Sequence, residues 1–577
     1  MLIYRMPQTV MAQSPVYKMK TGTLYHPSYL VTTASNRTYH VRVTRSPLRL
    51  GLKNAQWGMS RFFLALPKTA LQWILLTAGL RLLLATQLGL GTDESYMVAV
   101  ARQLSWSYFD HPPLSFWLVH ATVWLTGSEA AWVVRLPFIL LFAGSSWLLY
   151  RLTARLFDAK AALHSLIFFN LMPVFTLSTG GWVLPDGLMV FALLAAINTL
   201  LPALLPNSTN ADGGKTDWRW LAAGGWLGLA LLSKYLAVFL PLGIGLYLIT
   251  CPSARQQLRR VAPWGGLLLA ALIFLPVVWW NSQHDWASLA FQAGRGVPNA
   301  GEVHLRFDRM LAAFGGQALY LLPWLWLALL GSALAAILRR WHQPPTRLLL
   351  MLTLPAMLIF PLLALWAGGR ILPHWAVPGY LMGLPLLGDA TSRWLQKSPV
   401  KRGRRLKFVQ WGSGLLLLGF CTLLVTELRY GWIQRNFIWI DTPNFQNAVR
   451  LNPVLELLNW QELPAAVAQF SPKPPAFLAS DRWMHTAKVD YIMAGKVPVL
   501  CLNRDQRHFA WLQDAALFAG QDGLVVVQQY REQNQKPQEI ARYFSNLRWL
   551  GEVMVHEGAQ PAIPLQLYWG SNFTPQP

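Results

Sequence analysis

Residues 69–96, TALQWILLTAGLRLLLATQLGLGTDESY, decide how this chain is read. A helix needs about 20 apolar residues to cross the hydrocarbon core of a bilayer, and the run from Thr69 to Leu90 supplies them. It is followed at once by Gly91-Thr92-Asp93-Glu94-Ser95-Tyr96. Adjacent carboxylates at a membrane boundary are expensive to place unless they bind or catalyse. Thr92 or Asp93 also fits as the N-cap of a following surface helix.

The rest of the chain agrees with a membrane reading. Of 577 residues, 54% are hydrophobic and 13% charged, whereas ordinary soluble domains carry about 25% charged residues. Further apolar stretches lie near 132–150, 161–180, 186–205, 220–233, 236–250, 263–280, 311–338, 348–366, 372–390 and 409–428. With the first they make about eleven crossings of a polytopic α-helical protein. The short pair on either side of Lys234 also reads as one long bent helix. The expected organisation is a basic arm over 1–68, disordered and cytoplasmic or preceding a true start such as Met59, a membrane domain over 69–429, and an α/β domain over 430–577. The arm lacks the apolar core and cleavage site of a signal peptide.

The net charge of +24 is dispersed among apolar segments and not gathered on one polar face, which argues against a nucleic-acid partner. The basic residues instead recur in alternate connections, at Arg151, Arg155 and Lys160, at Lys215 and Arg219, at Arg255, Arg259 and Arg260, at Arg339, Arg340 and Arg347, and between Arg393 and Lys407. Positive loops mark the cytoplasmic side. The loops near 91–131, 178–185, 281–310 and 367–371 then face outward, as does the tail from Tyr430. Cys251, Cys421 and Cys501 are an odd set at unrelated spacings, and only Cys501 faces an oxidising compartment, so neither a disulfide nor a thiolate metal site is expected.

The outward loops hold the unusual polar residues. Asp110-His111-Pro112-Pro113 precedes an amphipathic run, Ser115 to His120, too short to cross. The prolines fix an extended chain, which holds Asp110 and His111 at headgroup depth beside an interfacial helix; a rigid connector with a membrane anchor is the plainer reading. Leu184-Pro185-Asp186 opens a span, where an acid also suits the positive end of a helix. Lys234 lies in some thirty otherwise apolar residues and either snorkels or meets an anion. Trp279-Trp280-Asn281, with Arg295 beyond, opens another loop. Gly369-Arg370-Ile371-Leu372-Pro373-His374 places a cation on the side that loop charges otherwise avoid, where arginine can bind phosphate bidentately.

Taken together these segments resemble the GT-C superfamily of polyprenyl-phosphate-sugar-dependent glycosyltransferases, in particular the bacterial aminoarabinose transferases and relatives of the protein O-mannosyltransferases. The resemblance runs from about Leu71 to Tyr380, more loosely into the tail. It rests on the Asp-Glu pair after the first span, the Pro112-Pro113-Leu114 turn, Leu184-Pro185-Asp186, Ser233-Lys234 and the Arg370 to Trp375 segment. It implies that Asp93 is the catalytic carboxylate, with Glu94 beside it and Asp186 as the second acid. His111, Lys234, Arg295 and Arg370 are expected to face the donor phosphate, and Tyr96, Asp110, Asn281 and His374 to line the cavity. The aminoarabinose transferases carry a lysine before the Pro-Pro pair, where this chain has His111, so the chain reads as a relative of that enzyme.

The chemistry follows without the family. Sugar transfer from a phospho-carrier needs a base at the acceptor and cations on the departing phosphate. One in-line displacement inverts the anomeric centre, so inversion is expected. Asp93, Glu94, Asp110, His111 and Asp186 are hard or borderline ligands that admit a divalent ion, but they show no ligand spacing, and no obligatory cofactor is expected. The expected partners are a polyprenyl-phosphate sugar donor, a lipid, glycan or protein acceptor and membrane lipids, with the enzyme a monomer in a bacterial inner membrane and its tail periplasmic. The competing class is a transporter or flippase, which would show internal repeats and a site near the midplane; no repeat is visible. A sensor would leave the outward charges unexplained. In the tail, strands are expected at Ala476–Asp481, Val497–Leu502 and Gly523–Val527, with a helix over Met484–Ala494, and loop residues Asp481, Arg482 and Asn503 are either solvated or touch the acceptor.

Overall fold

The computed structural model describes residues 29–32, 38–41, 67–205, 217–296, 305–367, 369, 371–437, 453–528 and 536–575. Strands β1 (Tyr29–Thr32) and β2 (Thr38–Val41) form an antiparallel pair by themselves. From Pro67 onward the chain is one compact unit. Its helices begin with α1 (Lys68–Gln87), the short α2 (Thr92–Ala101) and α3 (Leu114–Thr126), then α4 (Ala131–Leu156), α5 (Ala159–Leu171) and α6 (Pro185–Leu204). There follow α7 (Asp217–Ser233), α8 (Phe239–Thr250), α9 (Val261–Ser282), α10 (Ala287–Gly294), α11 (Phe307–Leu321), α12 (Pro323–Arg340), α13 (Pro344–Leu363), α14 (Val377–Gln396) and α15 (Pro399–Tyr430).

Each apolar stretch in the sequence carries helix, but among the described residues six helices are by themselves long and apolar enough to cross a membrane, or seven if the pair α11 and α12 is one span. That pair, read from sequence as one span, bends by 107°. Pro323 removes a backbone donor and disfavours helical geometry in the residue before it, and Leu322 accordingly takes φ 69°. The stretch over 161–180 is likewise interrupted after Leu171 and continues as a wide π-type turn, Val174–Thr179. At Lys234 the chain is extended, with φ −155° and ψ 135°, so α7 and α8 are two helices and not one bent rod.

α6 is apolar on all sides and buried along nearly its whole length, as a helix at the centre of a bundle must be. α4 and α7 pack against it, α5 and α13 flank α14, and α9 packs along α7. The last contact is unusually close. A Cβ on Gly224 would collide with the Gly266 carbonyl, and one on Gly266 with the Trp220 carbonyl, so the two backbones touch where only glycine fits.

The C-terminal region folds as a five-stranded sheet in the order β4 (Val499–Cys501), β3 (Phe477–Ser480), β5 (Gly523–Gln528), β7 (Gln560–Phe573), β6 (Phe544–Glu557). β3, β4 and β5 are parallel, and β7 joins β5 to β6 antiparallel. The helix Trp483–Ile492 lies over this sheet and against α2. There Lys488, almost wholly buried, donates to the carbonyls of Leu90 (2.5 Å) and Leu458 (3.0 Å). Arg102 at the end of α2 pairs with Glu129 (2.7 Å) and with Asp490.

One buried ion pair ties the start of α2 to everything around it. Glu94 Oε1 accepts from Arg135 Nε (2.8 Å) and the Val183 amide (2.9 Å), and Oε2 from Arg135 Nη2 (2.5 Å) and the Gly91 amide (2.9 Å). Arg135 also donates to the carbonyls of Leu88 (2.8 Å) and Gly89 (2.7 Å), where α1 ends. Both side chains are 1% exposed. Removing one member of such a pair leaves a buried charge unpaired, at a cost of roughly 3–5 kcal/mol. Arg135→Met should therefore lower the thermal midpoint of the protein in detergent by several degrees, with part of the loss recovered in Arg135→Met/Glu94→Leu. An unchanged melt of the single variant would contradict this role.

Candidate active site

The two acids adjacent in sequence part company in the fold, because successive residues of a helix point about 100° apart. Glu94 turns inward, and its four accepted hydrogen bonds occupy the capacity of a carboxylate. The expectation that Glu94 takes part in the chemistry is corrected accordingly: it positions the first turn of α2. Asp93, one residue earlier, is exposed, and its side chain bonds to no other described residue. The surrounding protein, aided by Asp110 and Glu94 and opposed by Arg507 and Lys234, holds its carboxyl above the usual carboxylate range. A carboxylate that is free, reachable and drawn toward neutral pH suits a general base.

Asp110 lies beyond α2, in the turn that Pro112 and Pro113 rigidify before α3. It is buried and accepts from the Tyr96 hydroxyl at 2.8 Å. Tyr96 is itself buried, and its oxygen accepts from the His508 amide at 3.2 Å. His111 Nε2 stands 3.8 Å from Asp110 Oδ2. Burial, only partly opposed by Asp110, pushes the His111 imidazole down to about 4, so at neutral pH it is an uncharged polar group. The surroundings of the ring disfavour its charged form.

Asp186 enters from the first turn of α6, behind Pro185, and Lys234 from the extended break between α7 and α8. Their Oδ2 and Nζ atoms are 2.5 Å apart and both residues are buried. Ser233 pins the break by donating to the Pro185 carbonyl at 2.6 Å. The other Asp186 oxygen, Oδ1, is buried without a hydrogen bond among the described residues. His374, in the short turn Pro373–Ala376 before α14, feels the charges of Lys234, Asp186, His111 and Arg295 and so belongs to the same cluster.

Arg295 follows α10 and lies over the rings of Phe291 (4.5 Å) and Trp375 (5.4 Å), within electrostatic reach of Asp110 and Asp93. Asn281 is elsewhere in function: fully buried, it donates to the Val277 carbonyl (2.9 Å) and accepts from the Leu289 amide (3.2 Å), fastening α10 to α9. Its side chain is spent on the backbone, which corrects its expected place on the cavity wall. Arg370 lies outside the described residues.

Three contributors were not foreseen. Gln292 donates to the Asp110 carbonyl at 2.6 Å. His508 accepts from the Phe109 amide at 3.2 Å through Nδ1, as a neutral ring can, and burial pushes it down to about 4. Arg507 brings a guanidinium from the C-terminal region to 3.9 Å from Asp110. The signal for Arg507 was the charged loop Asn503 to His508 after a strand, but its target is four hundred residues away in sequence. Asn503 itself folds back on the Asp481 carbonyl (2.8 Å) and shapes that loop. Among the described residues no three His, Cys, Asp or Glu side chains gather closely enough to hold a metal ion.

The site is thus a free carboxylate, a second acid paired with a buried lysine, and two arginines on aromatic rings. The family described as dolichyl-phosphate-mannose-protein mannosyltransferase matches residues 110–280. The lipid A galacturonosyltransferase RgtD of Rhizobium johnstonii is 25% identical over 336 residues, covering 58% of this chain and 67% of that protein. ArnT from Cupriavidus metallidurans in the apo state superposes with a TM-score of 0.58 at 14% identity, over 88% of this chain and 100% of ArnT. The same protein bound to undecaprenyl phosphate gives 0.58 at 15% identity, over 88% and 99%. These structures share the fold of this chain, which is similar in sequence to that mannosyltransferase family and to the curated lipid A galacturonosyltransferase.

Proposed function

We propose that the chain transfers a sugar from a polyprenyl-phosphate carrier to an acceptor on the periplasmic side of a bacterial inner membrane, as a monomer and without an obligatory metal. One observation carries this reading: Asp93, Asp110, Asp186, Lys234, Arg295 and His374 come from segments far apart in sequence and meet in one electrostatically coupled cluster. Asp93, Asp110 and Arg295 lie in loops that the charge pattern assigns to one membrane face, and Asp186 and His374 directly beside such loops, which supports eleven crossings over 69–429 and a periplasmic domain over 430–577. Transport of an intact lipid would not need a free carboxylate beside paired and stacked cations.

The donor phosphate sits against Lys234 and Arg295, with Arg370 as a further cation from its loop. Asp93 takes the proton of the accepting group as the new bond to the anomeric carbon forms, and the pair of electrons in the old bond leaves with the carrier phosphate. Negative charge grows on that phosphate, and the cations stabilise it more in the transition state than in the ground state. Asp186 holds Lys234 in place. The solved relative binding undecaprenyl phosphate supports the carrier class, and the name of the curated relative supports lipid A as the first acceptor to test. Incubating the purified protein in lipid with radiolabelled undecaprenyl-phosphate-linked galacturonic acid, aminoarabinose and mannose should show transfer from one of them; vectorial movement without bond cleavage would overturn the proposal.

The product should have the anomeric configuration opposite to that of the donor, as read by NMR. Asp93→Asn should reduce transfer by at least about a hundredfold, the lower range for removing a general base. Because the folded state raises the Asp93 pKa, ionising it costs stability, and that cost appears as pH rises from the unfolded carboxylate range through the raised value. Asp93→Asn should therefore melt at a higher temperature than the parent at neutral pH and not at pH 3. The acid limb of the parent's rate profile should lie above the range where ordinary carboxylates titrate.

A further inference from the structure

The C-terminal region contributes a residue to the site. Its loop from Asn503 to His508 is held against α2 by the His508 amide on the Tyr96 hydroxyl and by the Phe109 amide on the His508 ring. Between these anchors Arg507 takes φ 53°, a left-handed conformation that non-glycine residues seldom adopt without a compensating constraint. The consequence is that its guanidinium enters the site, where it lies 4.8 Å from the Phe291 centroid and 4.8 Å from that of Trp483.

Little of its hydrogen-bonding capacity is used. Nε is 3.0 Å from Asp505 but makes no aligned hydrogen bond among the described residues, and Asp505 is itself 56% exposed. Nη1 stands 3.9 Å from Asp110, beyond hydrogen-bond distance, and Asp110 is already engaged by Tyr96. Arg295 lies over the same Phe291 ring at 4.5 Å. Two guanidinium groups on one ring repel each other, and their planar donor forks match a phosphate or carboxylate.

We propose that Arg507 binds a phosphate or carboxylate carried by the acceptor. This rests on Asp93 being the base. Arg507 reaches the site from the C-terminal region, 3.9 Å from Asp110, whereas Lys234 comes from the break after α7 and is paired with Asp186, so the two cations serve different ends of the site. Arg507 also offsets the repulsion that an anionic acceptor meets from Asp93 and Asp110. The acceptor class is therefore anionic, and the C-terminal region selects it.

The test uses full-length protein in lipid, the donor found active above, and lipid A or phosphatase-treated lipid A as acceptor. Arg507→Ala should raise the KM for lipid A by roughly tenfold or more, the loss expected for a charge-assisted hydrogen bond, with the donor KM within about twofold. Arg507→Lys, which keeps the charge without the fork, should fall between them. Parent enzyme should prefer lipid A to its phosphatase-treated form, and Arg507→Ala should lose that preference. An unchanged KM for lipid A, a rise in donor KM instead, or a parent enzyme indifferent to the phosphates overturns the assignment. Asp93→Asn assayed beside these separates the two readings: retained transfer in that variant removes the base assignment, whatever Arg507 does.

Discussion

The fold of the site depends on a buried charge being matched. Glu94 and Arg135 are both excluded from water, and neither is tolerable there without the other. Their mutual geometry fixes the end of α1, the first turn of α2, the upper part of α4 and the chain entering α6 at one point. Asp93 is the neighbour of Glu94 itself, and Asp186 follows Val183, whose amide the junction holds, by three residues. Their separation is thus set by a network that touches no substrate, which is how preorganised sites keep their geometry without help from the ligand.

The same economy of charge divides the cavity. Lys234 is buried and neutralised by Asp186, while Arg295 and Arg507 are stacked on aromatic rings that spread their charge without consuming their donors. Asp93 alone among the acids of the cluster has neither hydrogen bond nor ion pair from a described residue. An enzyme that must accept a proton at one end and stabilise a leaving phosphate at the other needs this asymmetry, and the surrounding protein supplies it by raising one acid while a lysine engages the other.

Much of this was legible in sequence because it is local. Apolar runs gave the helices, the Pro112-Pro113 turn gave the approach to α3, and isolated charges such as Lys234 and Asp186 stood out against apolar surroundings. β3, β4, β5 and the helix over them are also where alternation and flanking residues put them. What escaped was non-local. Nothing near Glu94 says that Arg135 will consume it, nothing near Asn281 says that it will cap a following helix, and Arg507 reaches its place only through tertiary packing. The hairpin of β6 and β7 carries Pro561 and Pro564, a residue type that disfavours strands, and Gly558 at φ 58° makes the tight turn between them. The break at Pro323 inside a continuous apolar run was missed because hydropathy does not register a bend.

The glycine contact between α7 and α9 carries a mechanical implication. Backbones that touch at Gly224 and Gly266 cannot slide or splay without losing van der Waals contact along the whole pair, so the two helices behave as a single strut. Lys234 terminates one of its members and the chain leading to Arg295 leaves the other, through a corner stiffened by Asn281. The spacing of these two cations is therefore gauged by a steric contact between two helices, remote from any sugar, and a methyl group added there would be felt at the phosphate.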